Sequence, residues 1–181
     1  FAAIKAQGYG HGLRQCASVL APHCEGFAVA TAAEGVDLRD ASFREQRICV
    51  LNGAADREDL RACAAHGLEP LVHQAWHLDA LAAGELGPAL TVWLKIDSGM
   101  GRIGVRPHEA ADWHDRLERA TGVRPPVGFM THLASADERR CDYTARQVET
   151  FDIATAGRTG PRSIANSAGV LGWSATHRDW I

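Results

Sequence analysis

Phe1-Ala2-Ala3-Ile4-Lys5-Ala6-Gln7-Gly8-Tyr9-Gly10-His11-Gly12 opens the chain. Residues 1–4 read as a short buried strand that carries one lysine to its end. Glycines then recur at every second position before helical spacing sets in from Leu13 to Leu20. Strand, turn and helix together make one β/α unit. A lysine at such a strand end meets an apolar interior that lowers its pKa and frees its amine as a nucleophile towards carbonyls. Gly8, Gly10 and Gly12 can bring backbone N–H groups close to an anion, and the positive end of the following helix points the same way. An imine-forming lysine beside a phosphate-holding loop suggests pyridoxal phosphate. The plainer alternative is a solvated surface lysine followed by an ordinary strand-to-helix turn.

Outward from this stretch the unit recurs. Strands are expected over Gly26 to Ala30, Arg47 to Leu51, Glu69 to Val72, Leu90 to Ile96, Val127 to Thr131 and Arg162 to Ala165. Helices are expected over Ala32 to Arg39, Asp56 to His66, Ala75 to Ala83, Pro107 to Ala120 and Thr144 to Ala156. Short apolar strands alternating with helices imply parallel strands joined by crossover helices. The expected fold is α/β, a (β/α)8 TIM-type barrel truncated to about seven strands, in one incomplete domain spanning 1–181. An open doubly wound sheet is the alternative, but a glycine-rich dinucleotide fingerprint with an acidic residue ~20 positions on is missing. At 181 residues the chain is shorter than the ~250 of a typical closed barrel. Both ends read as cut, and a missing eighth strand is expected to leave sheet edges unpaired and prone to association.

Composition narrows the partners. The formal net charge is −3 and no Lys/Arg stripe follows any element, which argues against nucleic acid and for a small molecule. No apolar run nears the ~18 residues of a membrane span, and no signal peptide opens the chain, so a cytoplasmic location without membrane contact is expected. Five cysteines, an odd number without a CxxC pair, suit reduced thiols. His73 and His77 have helical metal-ligand spacing but fall on different elements without a third ligand, so no metal is expected.

In a barrel of this type the chemistry sits at the C-terminal strand ends. Those ends carry Lys5, then Lys95-Ile96-Asp97-Ser98-Gly99-Met100-Gly101-Arg102, then Thr131-His132, then Asn166-Ser167. The opposite end offers nothing comparable. Ser167 follows the seventh strand, where such barrels bind phosphate; its alternative role is an N-cap. Arg102 can grip a carboxylate with two prongs, or form a surface ion pair with Asp97 or another acid. Lys95, between Leu94 and Ile96, is expected to point into the barrel, where an unpaired cation costs several kcal/mol.

Ile4 to Gly12 resembles the cofactor-attachment signature of alanine racemases, departing at Gln7, where that family carries Asn or Asp. Leu94 to Gly104, Met130 to Glu138, Ala165 to Ala168 and Trp173 to Ile181 resemble further motifs of the same family in the same order, so the likeness covers nearly the whole chain. The resemblance implies an isomerase that interconverts L-alanine and D-alanine, supplying D-alanine for the bacterial cell wall. It implies that Lys5 carries pyridoxal 5'-phosphate and acts as one of two acid/base groups, with Tyr9 and Ser167 on the phosphate. Arg102 is implied to contact cofactor and substrate, Met100 the substrate, His132 and Asn166 the cofactor surroundings. Lys95 is implied to be carbamylated, giving an anion that holds Arg102.

The same resemblance implies a homodimer in which the opposing base is a tyrosine from a C-terminal β-domain of the other subunit. An arginine beyond Ile181 is implied to pair with the pyridine nitrogen. Tyr143 does not fit the opposing role, since it opens a helix in an unrelated segment. Residues 1–181 alone are therefore expected not to racemise. Alternatives are a non-catalytic single-domain pyridoxal phosphate barrel and a broad-specificity amino-acid racemase.

Overall fold

The computed structural model describes residues 1–181. Seven parallel strands pair in sequence order: β1 (Ala2–Ala3), β2 (Gly26–Val29), β3 (Arg47–Val50), β4 (Glu69–Val72), β5 (Trp93–Lys95), β6 (Gly128–Met130) and β7 (Arg162–Ser163). The alternation of elements thus gives the expected α/β fold, a curled sheet of seven parallel strands matching a truncated (β/α)8 barrel. The helices are α2 (Leu13–Leu20), α3 (Ala32–Asp40), α4 (Arg57–His66), α5 (Ala75–Ala83), α6 (Ala110–Arg119), α7 (Tyr143–Thr155) and α8 (Ser167–Gly172), after an opening turn, α1 (Lys5–Tyr9). Side chains near the helix starts fix several of them: Asp56 accepts the Asp59 N–H at 2.9 Å and Asn166 the Gly169 N–H at 2.9 Å. Gly67 and Gly84 end α4 and α5 in the left-handed conformation.

The strands are buried on both faces, as parallel strands under crossover helices must be. Phe27, Ile48, Val50, Leu94 and Phe129 face outwards into the main core beneath the helices. Cys49, Leu71, Trp93 and Met130 face inwards and pack with Phe1, Leu51 and Trp180. β5 is shorter than the expected Leu90 to Ile96, because Leu90 and Ile96 pair instead with Val123 and Val105 of neighbouring loops. The expected helix from Pro107 begins as a 3-10 turn, Pro107–Glu109, and becomes α-helical at Ala110.

The gap between β7 and β1 is partly filled. Ser163 forms a parallel bridge with Trp180, the Trp180 N–H donates to the Arg162 carbonyl at 3.1 Å, and the Arg162 N–H donates to Asp179 at 2.8 Å. Phe1 stacks on Trp180 with ring centroids 4.3 Å apart. One bridge thus covers part of the β7 edge, while the outer side of β1 has no strand partner.

The N-terminal end of the barrel, from which nothing was expected, holds an ion pair between a buried carboxylate and a half-buried arginine. Arg47 donates to both carboxylate oxygens of Glu69 at 2.6 and 2.7 Å, and the Trp93 indole N–H donates to the same carboxylate at 2.8 Å. The Arg47 guanidinium also lies 4.4 Å from the centre of the Trp180 ring. Two glycines make room for this layer. A Cβ on Gly128 would stand 2.4 Å from the Trp93 ring, and one on Gly26 2.8 Å from the Phe1 ring.

Candidate functional site

At the other end, the Ile4 N–H completes the first ladder by donating to the Ala28 carbonyl at 3.0 Å, and Lys5 follows at once. α1 then turns with the opposite hand: Ala6, Gln7, Gly8 and Tyr9 have φ of 51°, 56°, 61° and 54°. Left-handed turns cost L-residues about 1–2 kcal/mol each, so this one has to be held from outside. Part of the hold is internal, from Gly8 N–H to Ile4 O at 2.8 Å and from Gly12 N–H to Gln7 O at 2.7 Å. Gly8 also packs too closely for a side chain, since a Cβ there would lie 2.6 Å from the Cys16 Sγ. The glycines therefore build the turn and its packing against α2. None of them lines the cavity, so their expected role of holding an anion is not what the structure gives them.

The turn delivers Lys5 and Tyr9 to a cavity of about 220 Å³, which His132, Asn166 and Ser167 also line. Leu51, Met130 and Val170 supply apolar wall. Asn166 is the N-cap of α8, and its amide nitrogen donates to the Leu133 carbonyl at 3.3 Å. The capping role open to Ser167 thus belongs to its neighbour. The hydroxyls of Ser167 and Tyr9, the Lys5 amine and the His132 ring take no hydrogen-bond partner within the chain.

Lys95 points into the barrel, 4% exposed, without an ion pair. Burial lowers its pKa to about 7, with the charge of Arg102 adding to the effect and Asp97 opposing it. Asp97 is not the ion-pair partner of Arg102: its carboxylate accepts the N–H groups of Gly99 and Gly101, each at 3.0 Å. Arg102 is exposed and forms no salt bridge. His132 is driven to about 4 by burial and then by Lys95, Arg102 and Lys5, so its ring is neutral at pH 7. The cations therefore share one electrostatic environment, although Lys95, Met100 and Arg102 do not line the cavity itself.

Sequence reading missed the support beneath these strand ends. The Thr131 hydroxyl donates to the Ile96 carbonyl at 2.9 Å and lies 2.8 Å from the Ser98 hydroxyl. Gln147 of α7, 1% exposed, donates to the His132 carbonyl at 3.1 Å and accepts the Ala134 N–H at 2.9 Å. A glutamine on a helix gives no sign in sequence that it is buried. Tyr143 donates to the Gly99 carbonyl at 2.5 Å and bears on that loop, not on the cavity. His73 and His77 turn ring nitrogens to the carbonyls of Asn52 at 2.9 Å and Ala54 at 3.0 Å. His77 is completely buried, and burial lowers its pKa to about 4.

Comparison with known proteins adds an independent line. Residues 1–181 match the family model described as alanine racemase, N-terminal domain. The chain is 52% identical over 180 residues to an alanine racemase of Halorhodospira halophila, covering 99% of this chain and 49% of that protein. It is 42% identical over 180 residues to a catabolic alanine racemase of Pseudomonas aeruginosa, covering 99% and 50%. The crystal structure of biosynthetic alanine racemase from Pseudomonas aeruginosa superposes with a TM-score of 0.93 at 38% identity, over 100% of this chain and 50% of that one. That of alanine racemase from Corynebacterium glutamicum gives 0.88 at 32%, over 99% and 53%. The chain spans about half the length of the relatives it matches. Signature stretches, strand order and neighbours agree, and the chain belongs to the alanine racemase family, whose N-terminal domain it matches.

Proposed function

We propose that the protein carrying this chain is a pyridoxal phosphate-dependent racemase that interconverts L-alanine and D-alanine, with Lys5 as its cofactor-bearing residue. The observation that carries the reading is the convergence of Lys5, Tyr9, His132 and Ser167 on one cavity, with their polar groups free of protein partners. An amine, two hydroxyls and an apolar wall fit a phosphorylated aromatic aldehyde. When bound, the cofactor supplies an electron sink that makes the Cα–H of an amino acid acidic. Tyr9 and Ser167 hold its phosphate through their hydroxyls. The neutral His132 ring borders the cofactor without adding charge, and Asn166 keeps α8 in place behind it.

Lys5 takes or returns the proton at the substrate Cα on one face. The opposite face needs a second acid/base group. Of the two tyrosines in the chain, Tyr9 belongs to the phosphate side and Tyr143 is bonded to Gly99. By the resemblance to alanine racemases that group is a tyrosine of the partner subunit in a homodimer, and residues 1–181 alone are expected not to racemise. Lys95 has the neutral-amine population that reacts with carbon dioxide, and the resulting carbamate anion offsets the charge of Arg102. Arg102 and Met100, on the adjoining loop, approach the substrate side.

Borohydride reduction of the cofactor-loaded protein with peptide mapping tests this. A pyridoxyl adduct on Lys5 is the expected result, and its absence with cofactor in excess refutes the assignment. Chirality of recovered alanine, followed from either enantiomer, tests the reaction.

A further inference from the structure

Glu34 lies outside the cavity, third residue of α3, and its carboxylate joins two loops. Oε2 accepts the Ala30 N–H at 2.7 Å, while the Thr31 hydroxyl accepts the Glu34 N–H at 3.3 Å, a local cap on α3. Oε1 crosses to the loop after β1 and accepts the Ala6 N–H at 2.8 Å. Ala6 directly follows Lys5 and is the first residue of the left-handed turn, whose own hydrogen bonds run from Gly8, Gly10 and Gly12. α4 provides a comparison within the same molecule. Asp59 holds the equivalent third position, accepts the Ala55 N–H at 2.9 Å, and makes no bond to another loop. One additional methylene is what allows Glu34 to do both.

We propose that Glu34 is a positioning residue for Lys5: its carboxylate fixes the Ala6 amide and thereby the left-handed turn that aims the lysine into the cavity. Backbone in that conformation persists only where neighbours over-determine it. From outside the turn the Cys16 thiol reaches only the Gly8 carbonyl, at 4.0 Å, and Glu34 supplies the one short side-chain hydrogen bond. Its functional meaning rests on Lys5 being the cofactor-bearing residue.

The discriminating variant is Glu34→Asp, because Asp59 shows that an aspartate at this position still caps its own helix. Asp59→Ala serves as the control for loss of an ordinary cap. In the full protein, two quantities are read: hydrogen exchange of residues 4–12 without cofactor, and the rate of borohydride-trapped adduct formation at Lys5 with cofactor added. For Glu34→Asp, exchange at 4–12 is expected to rise about tenfold and adduct formation to fall about 10–100-fold, with exchange in α3 unchanged. Asp59→Ala is expected to loosen the start of α4 and leave Lys5 unaffected. Unchanged exchange at 4–12 in Glu34→Asp overturns the proposal. So does slower trapping that merely tracks a loss of protection throughout α3. If the parent protein forms no adduct at Lys5, the cofactor reading falls, and the exchange arm alone decides the role of Glu34.

Discussion

At the N-terminal end of the barrel, Arg47 meets Glu69 through two hydrogen bonds, the Trp93 indole adds a third to the same carboxylate, and three aromatic rings surround the pair. At the C-terminal end, Lys5, Lys95 and Arg102 form no salt bridge, and their charges act together on His132. The chain has the means to neutralise a buried charge and applies it at one end only. At the N-terminal end the charge is paired and packed against aromatic rings, whereas at the C-terminal end the buried Lys95 goes without an ion pair at a cost in stability, which suits the anionic ligand proposed for that end.

The sharpest way to break this contrast is Lys5→Ala. Racemisation by the full protein is expected to fall by about 10³-fold or more, with stability moved by less than about 0.5 kcal/mol. Residual activity within tenfold of the parent removes Lys5 from the chemistry. At the opposite end, Glu69→Ala is expected to cost about 2–3 kcal/mol in urea unfolding, less than for a fully buried pair because the Arg47 side chain is 33% exposed. Adduct formation at Lys5 should not change, and if it does, the two ends are not independent.

Lys95→Met is expected to stabilise by about 1–2 kcal/mol at pH 7 in buffer free of carbon dioxide. The folded pKa of Lys95 is about 7 against an ordinary 10.5, so between these values the unfolded chain holds a proton that the folded one releases. The parent therefore regains stability as pH rises through that window, and the gain from Lys95→Met shrinks. Added bicarbonate should stabilise the parent and not the variant if the carbamate forms.

The smallest effect concerns His132, lowered from 6.5 to about 4. Between those values the unfolded chain binds a proton that the folded chain refuses, so stability falls as pH falls from 6.5 towards 4. His132→Asn is expected to recover about 1 kcal/mol of the loss at pH 5.5, allowing for screening of a half-buried ring. Parallel pH curves for parent and variant would show that neither burial nor the neighbouring cations lower the His132 pKa.

Strand and helix positions were legible because burial on both faces of a parallel strand writes an apolar run into the sequence, as in Gly26–Val29. That Lys5, Tyr9, His132 and Ser167 would gather at one end of the barrel was legible because they sit at strand ends or in resembling motifs. Register-dependent features were not. Arg47 and Glu69 meet because Cys49 pairs with Glu69 across two strands, which no local periodicity records. Gly128 gives room to Trp93 for the same reason, their positions being opposed in the β5–β6 ladder. Thr31 and Glu34 do have the spacing of a helix cap, but the second reach of Glu34 depends on which loop lies alongside. The three glycines misled because a glycine pattern is the same whether it admits a ligand or permits a turn of opposite hand.

The strand order also has a kinetic meaning. Each ladder joins neighbours in sequence, so the pairings close stretches of only about 20–35 residues. A refolding chain can therefore add one β/α unit to the last without a long search. The contact between Phe1 and Trp180 is the exception. It joins positions 1 and 180, which only the six intervening ladders can bring together, so its entropic cost is met by those pairings and not by a free search of the whole chain.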